Sequence, residues 1–493
     1  MTDRITNQYL QHLQSLYYDI GNRGIRVDTS RLKSGREKVN KLIESNLLIA
    51  SNQWGCKVYI GAENSDKDDK TSVNLNSTSG ERSLLNKLKA LGYEVPKITK
   101  KNEEGEYEQK YSTAELSLQK MLAANQFKHP AGDPAIRAIL QVRELGKLKS
   151  GYFNTRLVGR TSESKEGYDY FFLSTYNVAG TITGRRSSKR HTLGYGNNAQ
   201  NFPKHSGTSK LFRECLVPRR GNIFLFVDQV MAEEWPVSAL SNNTLALHEL
   251  MTGVDRHSKL ASVIFDTYVP AKNSPDWDKN KHGKMRHLGK KTKHARNYGM
   301  REQRMSDSLA QEGFSVTKDV CKMLLQKAAD VDPSVDTVFH KYVQNELSNN
   351  HLLCTPFGRE RLFLGCRPHA DNNTLFNEAY SYIPQSTVGD NTGFAVSFLE
   401  TRAKGFIVQE GHDSIAHDII SDPTVINSTL LDTIESFRRT IRFHNGIELE
   451  IPISAELGYD FERTIELESM DEVGIKKALD KLNESKEKEL TAA

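Results

Sequence analysis

The chain has 493 residues, 37% hydrophobic and 26% charged, and this length suggests about three structural units at about 150 residues each. Its 67 Lys and Arg exceed its 62 Asp and Glu only slightly, so overall charge does not by itself indicate a nucleic-acid partner. Five scattered cysteines without a CxxC pair, a polar N-terminus and the lack of a long apolar run predict a cytoplasmic protein without a membrane span, a zinc site or a disulfide framework.

Residues 1–157 are predicted to be largely helical, because apolar patches recur at helical spacing among charged residues. The polar stretch Thr99–Gln109 is predicted to be an exposed loop. Ile136–Lys149 mixes apolar and basic residues at helical pitch. Its last cations, Lys147 and Lys149, suit contact with a phosphate backbone from a helix end. A solvated helix surface explains them equally well.

From Tyr168 to Pro218 the chain is rich in strand and turn residues. This segment contains Thr183-Gly184-Arg185 and, further on, Gln200-Asn201. An arginine and polar amides in extended loops suit contacts to base edges or sugars in a minor groove. Taken without the acidic residues further along the chain, these residues are better explained by ordinary turn chemistry.

The run Ile223–Val227 consists of apolar residues and predicts a strand that is buried on both faces. It ends at Asp228, and Glu233 follows five residues later. A carboxylate at the tip of a buried strand is held rigidly, as a metal ligand must be. An isolated Asp after a strand more often caps the next helix. The metal interpretation therefore depends on a second acid elsewhere.

Residues 236–370 are predicted to be mostly helical, and Arg286, Lys290, His294 and Tyr298 follow one another at intervals of four. On a helix each such step turns about 40° past a full circuit, so the stripe winds slowly over roughly 18 Å. This arrangement suits a nucleoside triphosphate, with the two cations on phosphate oxygens and the tyrosine beside the base. An exposed lysine-rich helix explains the spacing equally well when the stretch is taken alone.

The stretch Gly405–Ala416 predicts a strand, a tight turn and a second strand, with His412 and Asp413 at the tip. Together with Asp228, Asp413 supplies a second carboxylate. Two such acids brought together without a metal repel each other, whereas Mg²⁺ removes that conflict and can bridge an attacking and a leaving oxygen. The charged tail from Met470 to Ala493 is predicted to be a helix without a catalytic role.

These motifs, in this order, resemble those of family A DNA polymerases, the group of bacterial DNA polymerase I and many phage replicases. The resemblance covers nearly the whole chain. It rests on Asp228–Glu233 and His412-Asp413 as the first and third palm motifs, Arg286-x3-Lys290-x7-Tyr298-Gly299 as the nucleotide-binding helix, Thr183-Gly184-Arg185 and Gln200-Asn201 as primer-template contacts, Gln385-Ser386-Thr387 in the palm, and Lys147-Leu148-Lys149-Ser150 at the end of the thumb.

By this resemblance the fold class is α+β, that of a right-hand polymerase with an antiparallel palm sheet, helical fingers and a helical thumb. The implied thumb comprises residues 1–157, and the fingers comprise residues 246–365. The palm is divided into residues 158–245 and residues 366–493, the second part including the C-terminal tail.

The resemblance also implies DNA-templated addition of dNMP from a dNTP to a primer 3′ hydroxyl, with two Mg²⁺ ions, or Mn²⁺ in their place. Asp228 and Asp413 are then the catalytic metal ligands, the backbone carbonyl of Gln229 completes one metal's shell, and Glu233 excludes a 2′ hydroxyl. The implied dNTP-binding residues are Arg286, Lys290, His257, His294, Tyr298 and Glu233. The implied primer-template contacts are Arg185, Gln200, Asn201, Gln385, His412, Lys147 and Lys149.

The chain departs from the family pattern at several positions. His294 stands where the family usually has Phe or Tyr, which bears on sugar discrimination, and Ser414 replaces a third acid, which bears on fidelity. The chain leaves no room for the family's N-terminal proofreading domain. We therefore expect no 3′–5′ exonuclease activity in this polypeptide, and a separate exonuclease or processivity subunit is a candidate partner. The likeness to phage members implies phage DNA replication in the host cytoplasm.

Two alternatives stay open. A single-subunit RNA polymerase shares this palm and often has His-Asp-Ser, as at His412–Ser414, but the bulk of Glu233 argues against a ribose. A non-catalytic nucleic-acid-binding module would need basic residues and has no use for Asp228 and Asp413.

Overall fold

The computed structural model of this protein describes residues 4–61, 71–77, 79–101, 106–123, 132–162, 167–203, 207–312, 314, 316–364, 373–402 and 406–492. The α-helices in these ranges are α1 Asn7–Arg23, α2 Thr29–Trp54, α3 Leu84–Ala90, α4 Glu115–Ala123, α5 Gly132–Leu148, α6 Lys210–Arg213, α7 Glu234–Leu240, α8 Thr244–Met251, α9 Arg256–Phe265, α10 Lys279–Asn297, α11 Glu302–Gln311, α12 Lys318–Val331, α13 Lys341–Asn349, α14 Asn373–Arg402, α15 Pro423–Phe437 and α16 Glu472–Ala492. Short π-helical turns occupy Lys149–Phe153 and Val335–His340.

The strands are β1 Ile25–Val27, β2 Val58–Tyr59, β3 Val73–Asn74, β4 Lys97–Lys101, β5 Tyr107–Tyr111, β6 Val158–Thr161, β7 Tyr168–Phe172, β8 Thr175–Asn177, β9 Ser187–Lys189, β10 Asn222–Gln229, β11 Leu352–Cys354, β12 Glu360–Leu362, β13 Ile407–Glu410, β14 Ser414–Ile420, β15 Ile441–Arg442, β16 Glu448–Leu449, β17 Ile453–Gly458 and β18 Thr464–Glu466. The chain forms two compact units. Unit 1 comprises Met1–Leu32, Thr155–Met300 and Leu324–Ala493, and unit 2 comprises Lys33–Asn154 and Arg301–Met323.

The centre of unit 1 is a five-stranded antiparallel sheet with strand order β13-β14-β10-β17-β18. Strand β10 lies in the middle, as its apolar sequence predicts. Alternate residues point to opposite faces of a strand. Phe224 and Phe226 therefore pack on Phe461, each with ring centroids 5.0 Å apart, while Leu225 and Val227 join a core that includes residues of α14, α15 and α16. Burial on both faces leaves the end of β10 little freedom to move.

Helix α14 passes behind this sheet and fixes the end of β10 through polar contacts. The buried side chain of Gln229 donates to Thr392 Oγ1 at 2.9 Å and accepts from Asn391 Nδ2 at 2.8 Å. A buried amide without such partners would cost roughly 1–3 kcal/mol. These hydrogen bonds therefore select one position for the strand end relative to the helix.

Helices α9 and α10 approach each other unusually closely at Gly289. A Cβ atom there would lie 2.5 Å from the carbonyl oxygen of His257 and 3.0 Å from the amide nitrogen of Ala261, so a larger residue would push the helices apart. Asp255 caps α9 by accepting hydrogen bonds from the amides of His257 and Ser258. Helix α9 therefore begins directly after Asp255.

The core of unit 2 includes Leu84 and Leu88 of α3, Ile136 and Ile139 of α5, and Val58 of β2. The prediction of an exposed loop over Thr99–Gln109 is wrong at both ends of that stretch. Strands β4 and β5 pair in antiparallel register from Lys97↔Tyr111 to Lys101↔Tyr107. The hairpin is exposed, so it lacks the apolar alternation that identifies a half-buried strand.

The four-part division into thumb, palm and fingers stays a prediction. Unit 2 holds most of the predicted thumb but also takes in residues 301–323 of the predicted fingers. The predicted C-terminal helix is confirmed as α16, whose Ile475, Ala478 and Leu482 are buried in the core of unit 1. Within the described ranges no helix is both long and apolar enough to cross a lipid bilayer.

Candidate active site

The register of the central sheet brings Asp228 beside the turn that carries Asp413. Asp228 is paired with Ser414, the residue after Asp413, and the amide of Gln229 donates to the carbonyl oxygen of Asp413 at 3.0 Å. The predicted strand, turn and strand around Asp413 are confirmed by β13 and β14. Both carboxylates line one pocket of about 570 Å³, a volume typical of ligand sites.

Both acid-bearing turns contain a residue in the left-handed region of backbone conformation. Met231 has φ 50° and His412 has φ 77°. For residues with a side chain this conformation costs on the order of 1–3 kcal/mol and persists only where neighbours hold it. The Met231 carbonyl accepts from the amide of Glu234 at 2.8 Å, and the His412 carbonyl accepts from Thr392 Oγ1 at 3.0 Å. The turns are therefore held in one shape.

The second wall of the pocket is helical. Arg286, Lys290 and His294 of α10 line it, together with His257 of α9. Burial lowers the pKa of His257 to about 3, even though Glu234 opposes that shift. The imidazole is therefore neutral at physiological pH and can serve as a hydrogen-bonding group but not as a cation. The positive charge on this wall comes from Arg286 and Lys290.

The guanidinium of Arg286 is bound by Asp255 through two hydrogen bonds, of 2.6 and 3.2 Å. Burial would raise the pKa of Asp255, but the hydrogen bond and the charge of Arg286 outweigh it and hold the pKa below its usual value. Arg286 thus already has a carboxylate partner, and an anionic ligand must compete with it. Asp255 was not among the residues predicted from the sequence.

Glu233 lies at the centre of a polar cluster between the two walls. Arg185 and Tyr298 each donate a hydrogen bond to it, and His294 Nδ1 lies 3.7 Å away. Burial would raise the pKa of Glu233, but Arg185 and His294 hold it below its usual value. Burial raises the pKa of Tyr298 and lowers that of His294. The cluster thus combines a carboxylate whose pKa its neighbours lower with a tyrosine whose deprotonation is disfavoured by burial.

A family model for DNA polymerase family A matches residues 52–459. This chain belongs to DNA polymerase family A. It is 23% identical to the thermostable DNA polymerase I of Thermus filiformis over 354 residues, which are 71% of this chain and 38% of that protein. The chain therefore spans less than half the length of this relative.

The fold is similar to that of the polymerase domain of Pol1 from M. smegmatis, solved in complex with DNA primer-template and dNTP. The TM-score is 0.66 at 19% sequence identity, over 92% of this chain and 70% of that chain. The match confirms the predicted fold class, α+β of the right-hand polymerase type. The family match likewise confirms the predicted resemblance.

The residues predicted to contact primer-template lie in different environments of this family A chain. The buried Gln200 donates to Glu410 Oε2 at 2.8 Å and lies 3.4 Å from His412 Nδ1. Asn201 is exposed, and Gln385 is half-buried on α14. Unit 2 holds the two predicted thumb lysines, Lys147 and Lys149, and Lys147 is ion-paired with Glu115. Contact of these residues with DNA stays a prediction.

Sequence reasoning missed a buried ion pair next to the turn that carries Asp413. Arg186 and Glu410 are fully buried and lie 3.5 Å apart, and Asp390 lies 4.0 Å from the same guanidinium. Burial raises the pKa of Glu410, and the charge of Arg186 opposes that shift. The signal in the sequence is slight: a charged residue, Glu410, ends a short strand that begins with two apolar residues.

The two carboxylates suit a divalent cation of the kind expected for family A. Asp228 is exposed to the pocket and Asp413 is half-buried, so both offer hard oxygen ligands at neighbouring strand ends. Mg²⁺ is bound in this way by one or two carboxylates, with waters and substrate phosphates as its other ligands. Asp228 and Asp413 therefore fit the predicted metal.

Proposed function

We propose that this chain extends a DNA primer on a DNA template by transferring dNMP from a dNTP to the primer 3′ hydroxyl. The observation that carries the proposal is a single pocket lined by Asp228 and Asp413 on one side and by Arg286 and Lys290 on the other. Membership in DNA polymerase family A supports it. The similar polymerase domain from M. smegmatis was solved with primer-template and dNTP, which supports the same substrates here.

In this proposal Asp228 and Asp413 hold two divalent cations, Mg²⁺ or Mn²⁺, with the Gln229 carbonyl as a further ligand. Such ions polarise phosphoryl oxygens and lower the pKa of the attacking hydroxyl. Phosphoryl transfer otherwise depends on positioning and charge neutralisation. Arg286 and Lys290 supply these on the phosphate side.

Selection of a deoxyribose is assigned to Glu233. Its carboxylate lines the pocket and is fixed by Arg185 and Tyr298, so it cannot swing away at low cost. A fixed side chain beside the sugar excludes an additional hydroxyl by its bulk. His257 and His294 complete the dNTP site, and Tyr298 lies beside the base.

The deciding experiment compares the wild type with Asp228→Ala in extension of a primed DNA template. Loss of a metal ligand is expected to reduce incorporation by roughly a thousandfold or more, because metal-bound charge stabilisation is worth several kcal/mol. Binding of primer-template should change by less than about threefold, since phosphate contacts dominate nucleic-acid affinity. Asp432→Ala, on the distant helix α15, is the matched control and should extend primers normally.

The same assay separates the alternatives. Preference for NTPs over dNTPs would indicate an RNA polymerase. DNA binding by a wild type that incorporates neither substrate, at any Mg²⁺ or Mn²⁺ concentration, would indicate a binding module. Equal extension by the wild type and Asp228→Ala would contradict the proposed site.

A further inference from the structure

We propose that Glu410 is a positioning residue, which holds the turn at His412 in its left-handed conformation and thereby aims Asp413. This inference rests on the proposed function, because Asp413 is assigned there as a metal ligand. Glu410 is outside the set of residues predicted to bind metal, dNTP or DNA. It ends strand β13, three residues before Asp413.

The Glu410 carboxylate is fully buried and contacts three different segments of unit 1. One oxygen accepts a hydrogen bond from the backbone amide of His412 at 3.1 Å. Arg186 lies 3.5 Å from this same oxygen, and the other oxygen accepts from Gln200 Nε2 at 2.8 Å. The backbone amide of Glu410 donates to the hydroxyl of Tyr176 at 3.3 Å. The carboxylate therefore joins the turn to two separate loops.

The hydrogen bond to His412 acts at the strained residue itself. His412 has φ 77°, and its carbonyl is held on the other side by Thr392. At the preceding residue, Gly411, a Cβ would lie 2.4 Å from Ser414 Oγ, so a side chain there would require the serine hydroxyl to move. If the His412 amide lost its acceptor, the turn could relax towards a more common conformation. Asp413, the next residue, would move with it.

The counter-ion of Glu410 belongs to the segment that carries a predicted primer-template contact. Arg186 follows Arg185 directly, and neighbouring residues of an extended chain point in opposite directions. Arg185 reaches Glu233 in the pocket, whereas Arg186 is buried, donates to the carbonyl of Gly389 and stacks over Tyr17. The ion pair thus ties the Arg185 loop to the Asp413 turn from behind.

Fold stability alone does not explain such a pair. A buried ion pair is often no more stabilising than apolar residues of the same volume, because both charges lose their hydration. What this ion pair does specify is geometry, because it fixes where the loops of Arg186 and Gln200 lie with respect to the turn that carries Asp413. This favours a role in placing Asp413 and Arg185.

The experiment compares Glu410→Ala and Glu410→Gln with a matched control, Asp418→Ala. Asp418 is a buried carboxylate of the same sheet and is bound by Arg219 and Asn222, each at 2.8 Å, but it lies at the far end of β14 from the turn. Glu410→Ala is expected to lower kcat by roughly ten- to hundredfold, as losses of preorganised contacts do. KM for dNTP should stay within about twofold, because α10 is untouched.

Glutamine retains an oxygen that can accept from the His412 amide, so Glu410→Gln should recover kcat to within about threefold of the wild type. Asp418→Ala should also keep kcat within about twofold of the wild type, even if it lowers the melting temperature as much as Glu410→Ala does. A kcat loss of equal size in Asp418→Ala would overturn the proposal, because a general loss of stability would then suffice.

A second readout does not depend on activity. Hydrogen–deuterium exchange of the peptide covering residues 409–415 should accelerate in Glu410→Ala and stay unchanged in Glu410→Gln. If Glu410→Ala fails to fold, Glu410→Leu removes the same acceptor while keeping most of the side-chain volume, and it should give the same pattern. Unchanged exchange in a folded Glu410→Ala or Glu410→Leu variant would refute the inference. If the variants show the expected exchange but the wild type does not incorporate dNTP, the proposed function is refuted and the role of Glu410 in the turn is not.

Discussion

The two walls of the pocket are built by different kinds of contact. On the acidic wall, Asp228 and Asp413 are placed by backbone pairing of β10 with β14 and by the hydrogen bond from the Gln229 amide to the Asp413 carbonyl. On the basic wall, Arg286 is placed by its side-chain ion pair with Asp255, and Tyr298 by its hydrogen bond to Glu233.

This difference indicates how each wall meets its ligand. Backbone pairing inside a sheet does not change when a ligand binds, so the acids are preorganised for a cation. On the basic wall, Arg286 already has an anionic partner in Asp255, which an incoming phosphate must displace. We therefore expect changes in the acidic wall to affect stability and turnover, and changes in the basic wall to affect substrate binding and selection.

The largest expected effect concerns the acidic wall and its sheet at low pH. Burial lowers the pKa of His417, on β14, to about 4, whereas the unfolded value is about 6.5. Between these two pKa values the unfolded chain binds a proton at His417 that the native state does not bind. The free energy of unfolding is therefore at its full value above pH 6.5 and decreases as the pH falls towards 4, by up to roughly 3 kcal/mol. Denaturant unfolding at pH 7, 6 and 5 measures this loss. His417→Leu should show a shallower dependence, and equal slopes would contradict the assignment.

A change at the junction of the walls is expected to alter sugar selection. Glu233→Ala removes the carboxylate between Arg185 and Tyr298 and leaves space beside the sugar. The preference for dNTP over NTP, measured as the ratio of kcat/KM values, should fall by about ten- to hundredfold, the usual range for a steric contact in a pocket. Glu233→Gln keeps the bulk and should retain most of the preference. An unchanged ratio in the alanine variant would remove Glu233 from sugar selection.

The smallest expected effect tests the competition on the basic wall. Asp255→Asn keeps an oxygen that can cap α9 but removes the charge that holds Arg286. If Asp255 competes with phosphate, KM for dNTP should fall by roughly two- to fivefold at unchanged kcat, in line with a partly exposed ion pair. A rise in KM would show that Asp255 orients Arg286 for the ligand. Arg286→Gln serves as the reference variant, because loss of the cation itself should raise KM for dNTP.

Local patterns in the sequence were sufficient to predict three elements that carry candidate site residues. The apolar run before Asp228, the strand-turn-strand around Asp413 and the helix from Arg286 to Asn297 are all present. These elements obey short periodicities of two and 3.6 residues, which a single stretch of sequence displays. The hairpin of β4 and β5 escaped the same reasoning, because both of its faces are polar and exposed.

By itself the sequence determined which carboxylates and cations this chain possesses and on which kind of element each lies. Only the tertiary structure decided their partners: Ser414 opposite Asp228, Asp255 on Arg286, and Glu410 on Arg186. The last of these pairs joins residues more than two hundred positions apart. Strand register and buried ion pairs depend on which distant segments meet, and no local pattern of residues encodes that choice.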